Sequence, residues 1–409
     1  MRRFFIVCCL ALSGMFLSLP HTARAAGFAM YEFSARGNAL GGAMVARKAS
    51  PSSIAFNPAL ITQLKGTQMA AGMTLVDPSA TVEVKGQETV SAKKNYWAIP
   101  HAYATRQVND ALYYGVGVFS RFGLGNEYSK DWFGKDQLYY VGIQSLSVNP
   151  VMGLKLTDKL SVAFGIEAMW FDYEQKNIVE AGAGGRLDGR VNGESIGYGI
   201  NLGIHYQPVE WLALGASWRS GIKQHLKGTG YFSGSGPLFS NWGDTDARGS
   251  VNLPDMLFLG VCVMPTDRLS IEAGAVRTGW TSYDKLVIDY NNPSVATTDK
   301  TTEWKDVWRF NVGVEYALNE MLDLRAGYVY DNSPLNENYL DFLVPANDRH
   351  LFSGGVGIHQ GPWTLDLSYT YLLIKERTGS VTTTMGGENR VRFKDGDAHL
   401  VGMTLGYRF

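Results

Sequence analysis

Strict alternation of apolar with polar or small residues is the feature that most constrains this chain. The alternation runs through 160–170, 322–330 and 363–371, and in each stretch the apolar set ends in Trp or Tyr. A period of two is typical of β-strands with one apolar face. Aromatic residues at the ends of that face are typical of strands that cross a bilayer, because Trp and Tyr favour the water interface. The pattern therefore predicts membrane-crossing β-strands.

Fourteen such strands can be placed along the chain. They cover 66–78, 93–106, 110–120, 140–156, 159–174, 191–207, 211–226, 247–264, 268–280, 301–316, 321–333, 348–360, 363–376 and 389–409. Short connections alternate with long ones, and the long ones cover 79–92, 121–139, 175–190, 227–246, 281–300, 334–347 and 377–388. An even strand count with short turns at one end and long loops at the other is typical of outer-membrane barrels. The sequence therefore predicts an all-β fold, a fourteen-stranded antiparallel transmembrane β-barrel over 66–409. A soluble β-sandwich would need neither the strict alternation nor the aromatic ends.

Residues 1–25 have the organisation of a secretory signal peptide. Arg2 and Arg3 precede an uncharged run of 16 residues (4–19), and Ala23-Arg24-Ala25 forms the cleavage signature. The alternative is a short anchor helix, but the run is shorter than the ~20 residues needed to span a bilayer. We expect a mature chain that begins at Ala26. The mature part contains no run of 18 apolar residues, which excludes helical membrane spans.

The charge and composition exclude several other classes of protein. Lys and Arg total 37 against 38 for Asp and Glu, so there is no basic excess to bind nucleic acid. The hydrophobic content of 45% excludes a disordered chain, and the Gly, Tyr and Thr content excludes a coiled coil.

Residues 26–65 do not fit the strand pattern, and we call them the hatch. They are rich in Gly, Ala and Ser, and they contain apolar side chains such as Ile54 and Phe56 that would be poorly solvated. A fourteen-stranded barrel has a lumen wide enough to need filling. We therefore expect the hatch to lie inside the barrel, with a flexible periplasmic tail as the alternative. The final strand ends at Phe409, which resembles the recognition signal of outer-membrane barrels; the alternative is an ordinary amphipathic edge strand.

Several segments together resemble the FadL/TodX family of outer-membrane transporters for hydrophobic compounds. The segments are AGF (26–28), EFS (32–34), NPAL (57–60), RFGLGNEY (121–128), WRS (218–220), LPD (253–255), WKDVWR (304–309), RAGYVYDNSP (325–334) and PANDR (345–349). They occur in order along the mature chain, and each is weak evidence by itself.

The resemblance implies a barrel closed by an N-terminal hatch that contains Asn57, Pro58 and Ala59. It implies uptake of long-chain fatty acids or, in relatives, aromatic hydrocarbons, with lateral release through a wall opening at a kink in the third strand. That kink would fall at Phe122-Gly123, with Asn57 against it; the alternative for Gly123 is an ordinary loop glycine. Glycine suits a bend or bulge in a strand. Lateral exit avoids exposing each methylene to water at ~0.8 kcal/mol, or ~12 kcal/mol for a sixteen-carbon chain.

The resemblance also suggests ligand-binding residues. Lys300, five residues before Lys305, would bind a carboxylate; the alternative is a solvated loop lysine. A second basic residue of the family corresponds to Asn177 in this chain. Without that positive charge, a neutral ligand is the alternative. The predicted loop 175–190 is also short, which puts the outer binding groove of the family in doubt. Apolar surface could instead come from Trp132 and Phe133, for which interfacial anchoring is the alternative, and Phe28 is a candidate for contact in the lumen.

The sequence contains no H-E-x-x-H, Walker or G-x-S-x-G motif, so we predict no enzyme activity, no metal and no cofactor. Asp244, Asp246 and Gly249 match only a fragment of a calcium loop. The expected partners are a long-chain fatty acid or another hydrophobic small molecule, outer-membrane lipid and lipopolysaccharide, and the barrel assembly machinery through Phe409. An adhesin or structural barrel is the alternative from another class, and a barrel hydrolase is a weaker one.

Overall fold

The computed structural model describes residues 27–87, 89–344, 347–382 and 387–409. The predicted signal peptide (1–25) and Ala26 lie outside the described residues, as do Pro345 and Ala346. Within the described ranges, no helix has the length and apolar character needed to cross a bilayer.

The described residues form 21 strands and a few short helices. The strands are β1 (Thr67–Val84), β2 (Thr89–Ser91), β3 (Trp97–Gln107), β4 (Leu112–Phe119), β5 (Leu124–Glu127), β6 (Tyr140–Lys155), β7 (Leu160–Glu180), β8 (Arg186–Val209), β9 (Leu212–Arg219), β10 (Ile222–Ser235), β11 (Thr245–Leu253), β12 (Met256–Thr266), β13 (Leu269–Thr278), β14 (Lys285–Tyr290), β15 (Thr298–Thr301), β16 (Val307–Ala317), β17 (Leu322–Asp331), β18 (Arg349–Gln360), β19 (Trp363–Ile374), β20 (Arg377–Thr382) and β21 (Glu388–Arg408). The α-helices are α1 (Ala35–Ala39) and α2 (Ser53–Phe56). The 3₁₀ helices cover Pro58–Gln63, Phe133–Asp136, Gly182–Gly184, Trp280–Ser282 and Glu337–Tyr339.

Fourteen of these strands form one closed antiparallel barrel. Neighbours around the ring are β1, β3, β4, β6, β7, β8, β9, β12, β13, β16, β17, β18, β19 and β21, and β21 pairs back onto β1. The predicted fourteen-stranded antiparallel barrel is therefore confirmed.

The outer face of the barrel wall is apolar, whereas the outer face of a soluble protein is mostly polar. On β7, Phe164 and Ile166 point outward, and Ile166 is 55% exposed. Glu167 and Ser161 point inward and are buried. An apolar outer face with polar groups inside is the arrangement that a bilayer stabilises. The period-two pattern in the sequence is thus the alternation between the lipid-facing and luminal sides.

The strand prediction is wrong in four places. The predicted strand 211–226 is two strands, β9 and β10, and 247–264 is also two, β11 and β12. Pro254 lies at the second break, where a residue without an N–H cannot continue a ladder. The predicted loop 175–190 is mostly strand, since β7 runs to Glu180 and β8 starts at Arg186, and β10 occupies much of the predicted loop 227–246. Four consecutive polar residues (174–177) lie where the extension of β7 begins, so the apolar–polar alternation did not reveal it.

Residues 27–64 of the hatch lie inside the barrel and are nearly all buried. Their hydrogen bonds reach strands on all sides of the ring. The bonds are Ala35 N to Thr404 Oγ1 on β21 (2.9 Å), Asn38 Nδ2 to Thr74 Oγ1 on β1 (2.8 Å), Val45 N to Glu272 Oε1 on β13 (2.7 Å), Asn57 Nδ2 to Ile204 O on β8 (2.9 Å) and Thr62 Oγ1 to Ser161 Oγ on β7 (2.8 Å). Residues 35–62 are thus bonded to strands on opposite sides of the ring.

Glycines in the wall allow the hatch backbone to approach closely. A Cβ on Gly215 would lie 2.0 Å from the carbonyl oxygen of Val45, and one on Gly327 would lie 2.4 Å from the backbone nitrogen of Gly41. Gly41 itself has a φ of +61°, which a residue with a side chain rarely adopts. The small residues of the hatch and of the wall therefore fit together backbone to backbone.

Candidate functional site

The barrel wall is interrupted next to β4. This strand ends with Phe119 opposite Ser147 of β6, and β5 begins with Leu124 opposite Ile143 of the same strand. Four residues (120–123) therefore lie opposite three (144–146), which is the geometry of a bulge. The interruption includes Phe122 and Gly123, where the resemblance places a kink.

The interruption leaves a gap between β3 and the kinked segment. Pairing between β3 and β4 begins only at Ala102, which lies opposite Val118. Among the described residues, the edge of β3 from 97 to 101 has a strand partner on the β1 side and none on the kink side. A barrel wall is normally sealed by continuous pairing, so this gap is a break in the seal.

Residues 28–30 of the hatch supply the backbone partners of the kink. Gly123 N donates to Phe28 O (2.9 Å), Met30 N donates to Arg121 O (2.8 Å), and Ala29 forms an isolated bridge with Phe122. The backbone of the kink is thus held from the lumen by the first described residues of the chain.

Asn57 does not lie against the kink, so that expectation is wrong. Its amide donates to Val45 O (2.8 Å) and to Ile204 O (2.9 Å), and its Oδ1 accepts from Ala59 N (3.1 Å). Asn57 caps the 3₁₀ helix that begins at Pro58 and fixes this helix to β8. The reason for the difference is that residues 28–30 are extended and can pair with the kink as a strand, whereas the side chain of Asn57 is used in capping.

Phe28 lies in a cluster of aromatic rings beside the kink. Its ring centroid is 4.8 Å from Trp280, 5.5 Å from Tyr283, 5.8 Å from Trp304 and 5.9 Å from Phe122. We call these five residues the aromatic cluster. Burial raises the pKa of the Tyr283 phenol, so the hydroxyl stays neutral among the rings. Sequence reasoning selected Phe28 and Phe122 but missed the others, although Trp304 opens one of the family-like segments.

A cavity of about 570 Å³ connects the lumen with the gap. Its size is within the range of small-molecule sites, roughly 300–1,000 Å³. Apolar side chains dominate its lining, with Leu351, Leu372 and Leu400 on the luminal side and Ile99, Leu124 and Ile143 at the gap. Phe28 and Gly123 also line it. The lining suits an apolar small molecule.

The cations that line the cavity are already paired. Among the described residues these cations are Lys93, Arg309 and Arg349. Asp331 Oδ2 lies 3.4 Å from Arg309 Nη1 and 2.8 Å from Arg349 Nη2. Lys93 Nζ lies 2.7 Å from Glu127 Oε1 at the outer end of the gap. An anionic ligand would therefore compete with protein carboxylates for these groups.

A buried charge network links the kink to the hatch. Glu167 Oε2 is 3.1 Å from Nη1 of Arg121, in the kink, and 3.3 Å from Nη1 of Arg219 on β9. Arg219 in turn donates to the carbonyl oxygens of Ile54 (2.5 Å) and Ala55 (3.3 Å) in the hatch. Charge-assisted bonds of this kind in a dry interior are strong and directional. Glu167 therefore links the kink to α2 of the hatch, in addition to the backbone bonds that residues 28–30 make with the kink.

The other predicted ligand-binding residues do not line the described cavity. They are Lys300, Trp132 and Phe133. Lys300 is on β15, and its Nζ is 2.8 Å from Asp341 Oδ2, with 32% of the side chain exposed. Trp132 is only 1% exposed; it stacks on Tyr128 at 4.2 Å, and its Nε1 donates to Leu138 O (2.8 Å). Phe133 is half-buried.

Comparisons with known proteins match most of the length of this chain. A family model described as outer membrane protein transport protein (OMPP1/FadL/TodX) matches residues 16–409. A putative outer membrane protein of Neisseria meningitidis serogroup B is 25% identical, with 94% of this chain and 95% of that protein covered. The long-chain fatty acid transport protein of Escherichia coli K12 is 23% identical, with 81% and 83% covered.

Solved structures share the fold. The structure of a FadL homologue from Pseudomonas aeruginosa superposes with a TM-score of 0.86 at 17% identity, covering 93% of this chain and 99% of that one. The toluene transporter TodX of P. putida superposes with a TM-score of 0.77 at 17% identity and the same coverage.

Proposed function

We propose a ligand for this chain, which belongs to the outer membrane transport protein family OMPP1/FadL/TodX and is thus an outer-membrane transporter of hydrophobic compounds. The proposed ligand is a long-chain fatty acid. In this proposal the ligand binds in the barrel lumen and leaves sideways through the wall gap into the bilayer. The family consists of transport channels and not enzymes, so binding and release are the whole activity.

The observation that carries the proposal is the cavity that reaches from the lumen to the gap between β3 and the kink. A ligand in this cavity touches apolar side chains over most of its surface. Exit into water would expose a sixteen-carbon chain at a cost of ~12 kcal/mol, whereas exit into lipid costs little. For the gap to open fully, residues 28–30 must release their hydrogen bonds to the kink. In this proposal Phe28, Phe122 and Gly123 act at the opening, and the turn Asn57-Pro58-Ala59 anchors the hatch to the wall.

Lys300 is the proposed first contact for a carboxylate at the outer loops. Its ammonium group is partly exposed and is held by Asp341, so an incoming carboxylate would replace one anion by another. Trp132 and Phe133 contribute to the apolar packing beneath these loops. In this proposal the charge orients the ligand, and the apolar tail supplies most of the affinity.

A neutral hydrophobic ligand, such as an aromatic hydrocarbon, is the second candidate. Two observations favour it. Lys300 and the cations of the cavity already have protein partners, and the position of the second basic residue is Asn177, whose amide donates to Asp136 O (3.1 Å). The toluene transporter named above shares the fold.

The remaining partners are proposals of the same kind. The apolar outer face of the strands would contact outer-membrane lipid, and the outer rim would contact lipopolysaccharide. The C-terminal Phe409 would be recognised by the barrel assembly machinery, and it is 69% exposed and thus available for recognition.

Binding and transfer measurements test the proposal. We expect purified protein to bind oleate tightly and toluene weakly, and Lys300→Ala to weaken oleate binding about tenfold, as loss of one charge-assisted contact predicts. Lys285→Ala is the matched control, because Lys285 is an exposed lysine on the neighbouring strand β14. Tight binding of toluene with no binding of oleate would instead support the neutral ligand.

Lateral release is tested in liposomes that contain brominated lipid and enclose albumin. A fluorescent fatty acid that leaves through the wall is quenched by the brominated lipid before it reaches the albumin. If the albumin acquires the ligand first, the ligand leaves into water and lateral release is wrong.

A further inference from the structure

The indole of Trp97 lies across the gap in the barrel wall. Trp97 is the first residue of β3, on the edge that has no strand partner on the kink side among the described residues. Opposite it, across the gap, is Gly125 of β5. A Cβ on Gly125 would lie 1.9 Å from Cζ2 and 2.3 Å from Cε2 of Trp97, so the indole rests directly on the glycine backbone. Both residues line the cavity.

Gly125 leaves room for this indole at some cost to the sheet. Its cross-strand partner on β6 is Gly142, so neither strand places a side chain at this position of the face. Glycine weakens a strand because it costs backbone entropy and offers nothing to pack. The indole of Trp97 needs space at this position, which explains why Gly125 and Gly142 lie opposite each other beside the gap.

The polar end of the Trp97 indole is poorly satisfied. Its Nε1 is buried and has no hydrogen-bond partner among the described residues, whereas Nε1 of Trp132 donates to a carbonyl. Leaving such a donor unpaired costs about 1–3 kcal/mol. Tryptophan is favoured at membrane interfaces, where the N–H reaches water while the ring stays in an apolar layer. The adjacent Tyr96 is 68% exposed, so this end of β3 reaches such a region. Rotation of the indole away from Gly125 would therefore open the gap and satisfy the N–H.

We propose that Trp97 is a side gate whose position over Gly125 sets the cross-section of the molecule that leaves through the wall. A slender hydrocarbon chain passes beside the indole, and a bulky group passes only when the indole rotates outward. This inference rests on the proposed lateral release. It assigns size selection to one side chain.

The variant Trp97→Cys tests the gate, because Cys262 is the only cysteine in 27–409 and is buried. The probes are palmitate and a fatty acid that carries a terminal pyrene. In Trp97→Cys we expect transfer of the pyrene probe to liposome lipid to rise about fivefold or more, as removal of a gating group predicts. The rate of pyrene transfer relative to that of palmitate transfer should therefore rise about threefold or more, a ratio in which a loss of affinity common to both probes cancels. Reaction of the introduced thiol with a bulky aryl maleimide should return the pyrene probe to its slow rate.

Gly125→Val is the second variant, because a valine side chain occupies the space of the indole while Trp97 is retained. It should speed the pyrene probe in the same way. Trp363→Cys is the matched control, since Trp363 is an exposed tryptophan on β19 that packs on Tyr407. Wild-type protein that transfers neither probe would overturn the proposed function itself. The gate alone would be overturned if wild-type protein transfers both probes and the two variants, Trp97→Cys and Gly125→Val, leave both rates unchanged or raise both rates by the same factor.

Discussion

Glu167 balances two arginines that are buried in the barrel. It is 2% exposed, accepts from Ser147 Oγ (2.6 Å), and is the carboxylate shared by Arg121 and Arg219. A buried ion pair is weak evidence for net stability, but removal of one partner leaves an uncompensated charge. Here the loss would leave two cations without a counter-ion, one in the kink and one against the hatch.

Glu167→Gln should therefore lower the free energy of unfolding by about 3 kcal/mol or more. The amide keeps the shape of the side chain and one acceptor, so the change isolates the charge. The measurement is the urea midpoint of the protein in lipid vesicles. Glu210→Gln, in an exposed turn, should leave the midpoint unchanged. Equal midpoints for the two variants would show that the network adds nothing to stability.

At the level of single residues, sequence reasoning was strongest where one position carries its own signal. Gly123 was selected because the family resemblance implies a kink there and glycine suits a bend, and in the structure it lies in the four-residue interruption between β4 and β5. The expected contact between Asn57 and the kink was wrong because a pairing across distant parts of the chain has no local signature. The pairing of Lys300 with Asp341 is also invisible in the sequence, since Lys300 on β15 and Asp341 are far apart along the chain.

The elements of the wall were predictable because each strand repeats one rule, apolar outside and polar or small inside. Strand ends were less predictable. On β10, which pairs with β8 and β11, the apolar side chains Leu226 and Phe232 are buried and the alternating lysines are exposed, the reverse of the apolar outer face of the wall. The hatch was recognisable as an element without strand pattern, but its path depends on wall glycines that face it from several strands.

The contact between the hatch and β9 can be tested directly. Gly215→Val should displace the hatch, because even the Cβ would lie 2.0 Å from Val45 O. We expect a higher ion conductance in planar bilayers, since a displaced hatch leaves water-filled space in the lumen. The control is Gly354→Val on β18, where the nearest atom to an added Cβ is 3.8 Å away. Conductance equal to that of the control would mean that the hatch does not depend on this contact.

At the scale of the whole molecule, the apolar outer face and the family assignment confirm the predicted outer-membrane location. The ring closes with β21, and at the end of this strand the ring of Tyr407 lies 4.6 Å from that of Phe409. Phe409 is largely exposed and therefore adds little to the packing of the finished barrel.

Phe409→Ala should reduce the amount of protein in the outer membrane of cells several-fold, if the terminal ring is read during assembly. The same variant refolded in detergent should keep the thermal midpoint of the wild type to within about 2 °C, because an exposed side chain contributes little to stability. Leu405→Ala, on the same face of β21, is the matched comparison. Normal levels in cells would contradict a role for Phe409 in assembly.

The seam of the barrel determines when the hatch is shielded. The ring is closed by β1 and β21, the first and last of its strands, and the hatch precedes β1 in the chain. Two strands far apart in sequence thus complete the wall around residues 27–64. The buried arginines and aromatic rings of the hatch are fully protected from water only when this ladder has formed, so protection of the interior depends on a contact between the two ends of the barrel sequence.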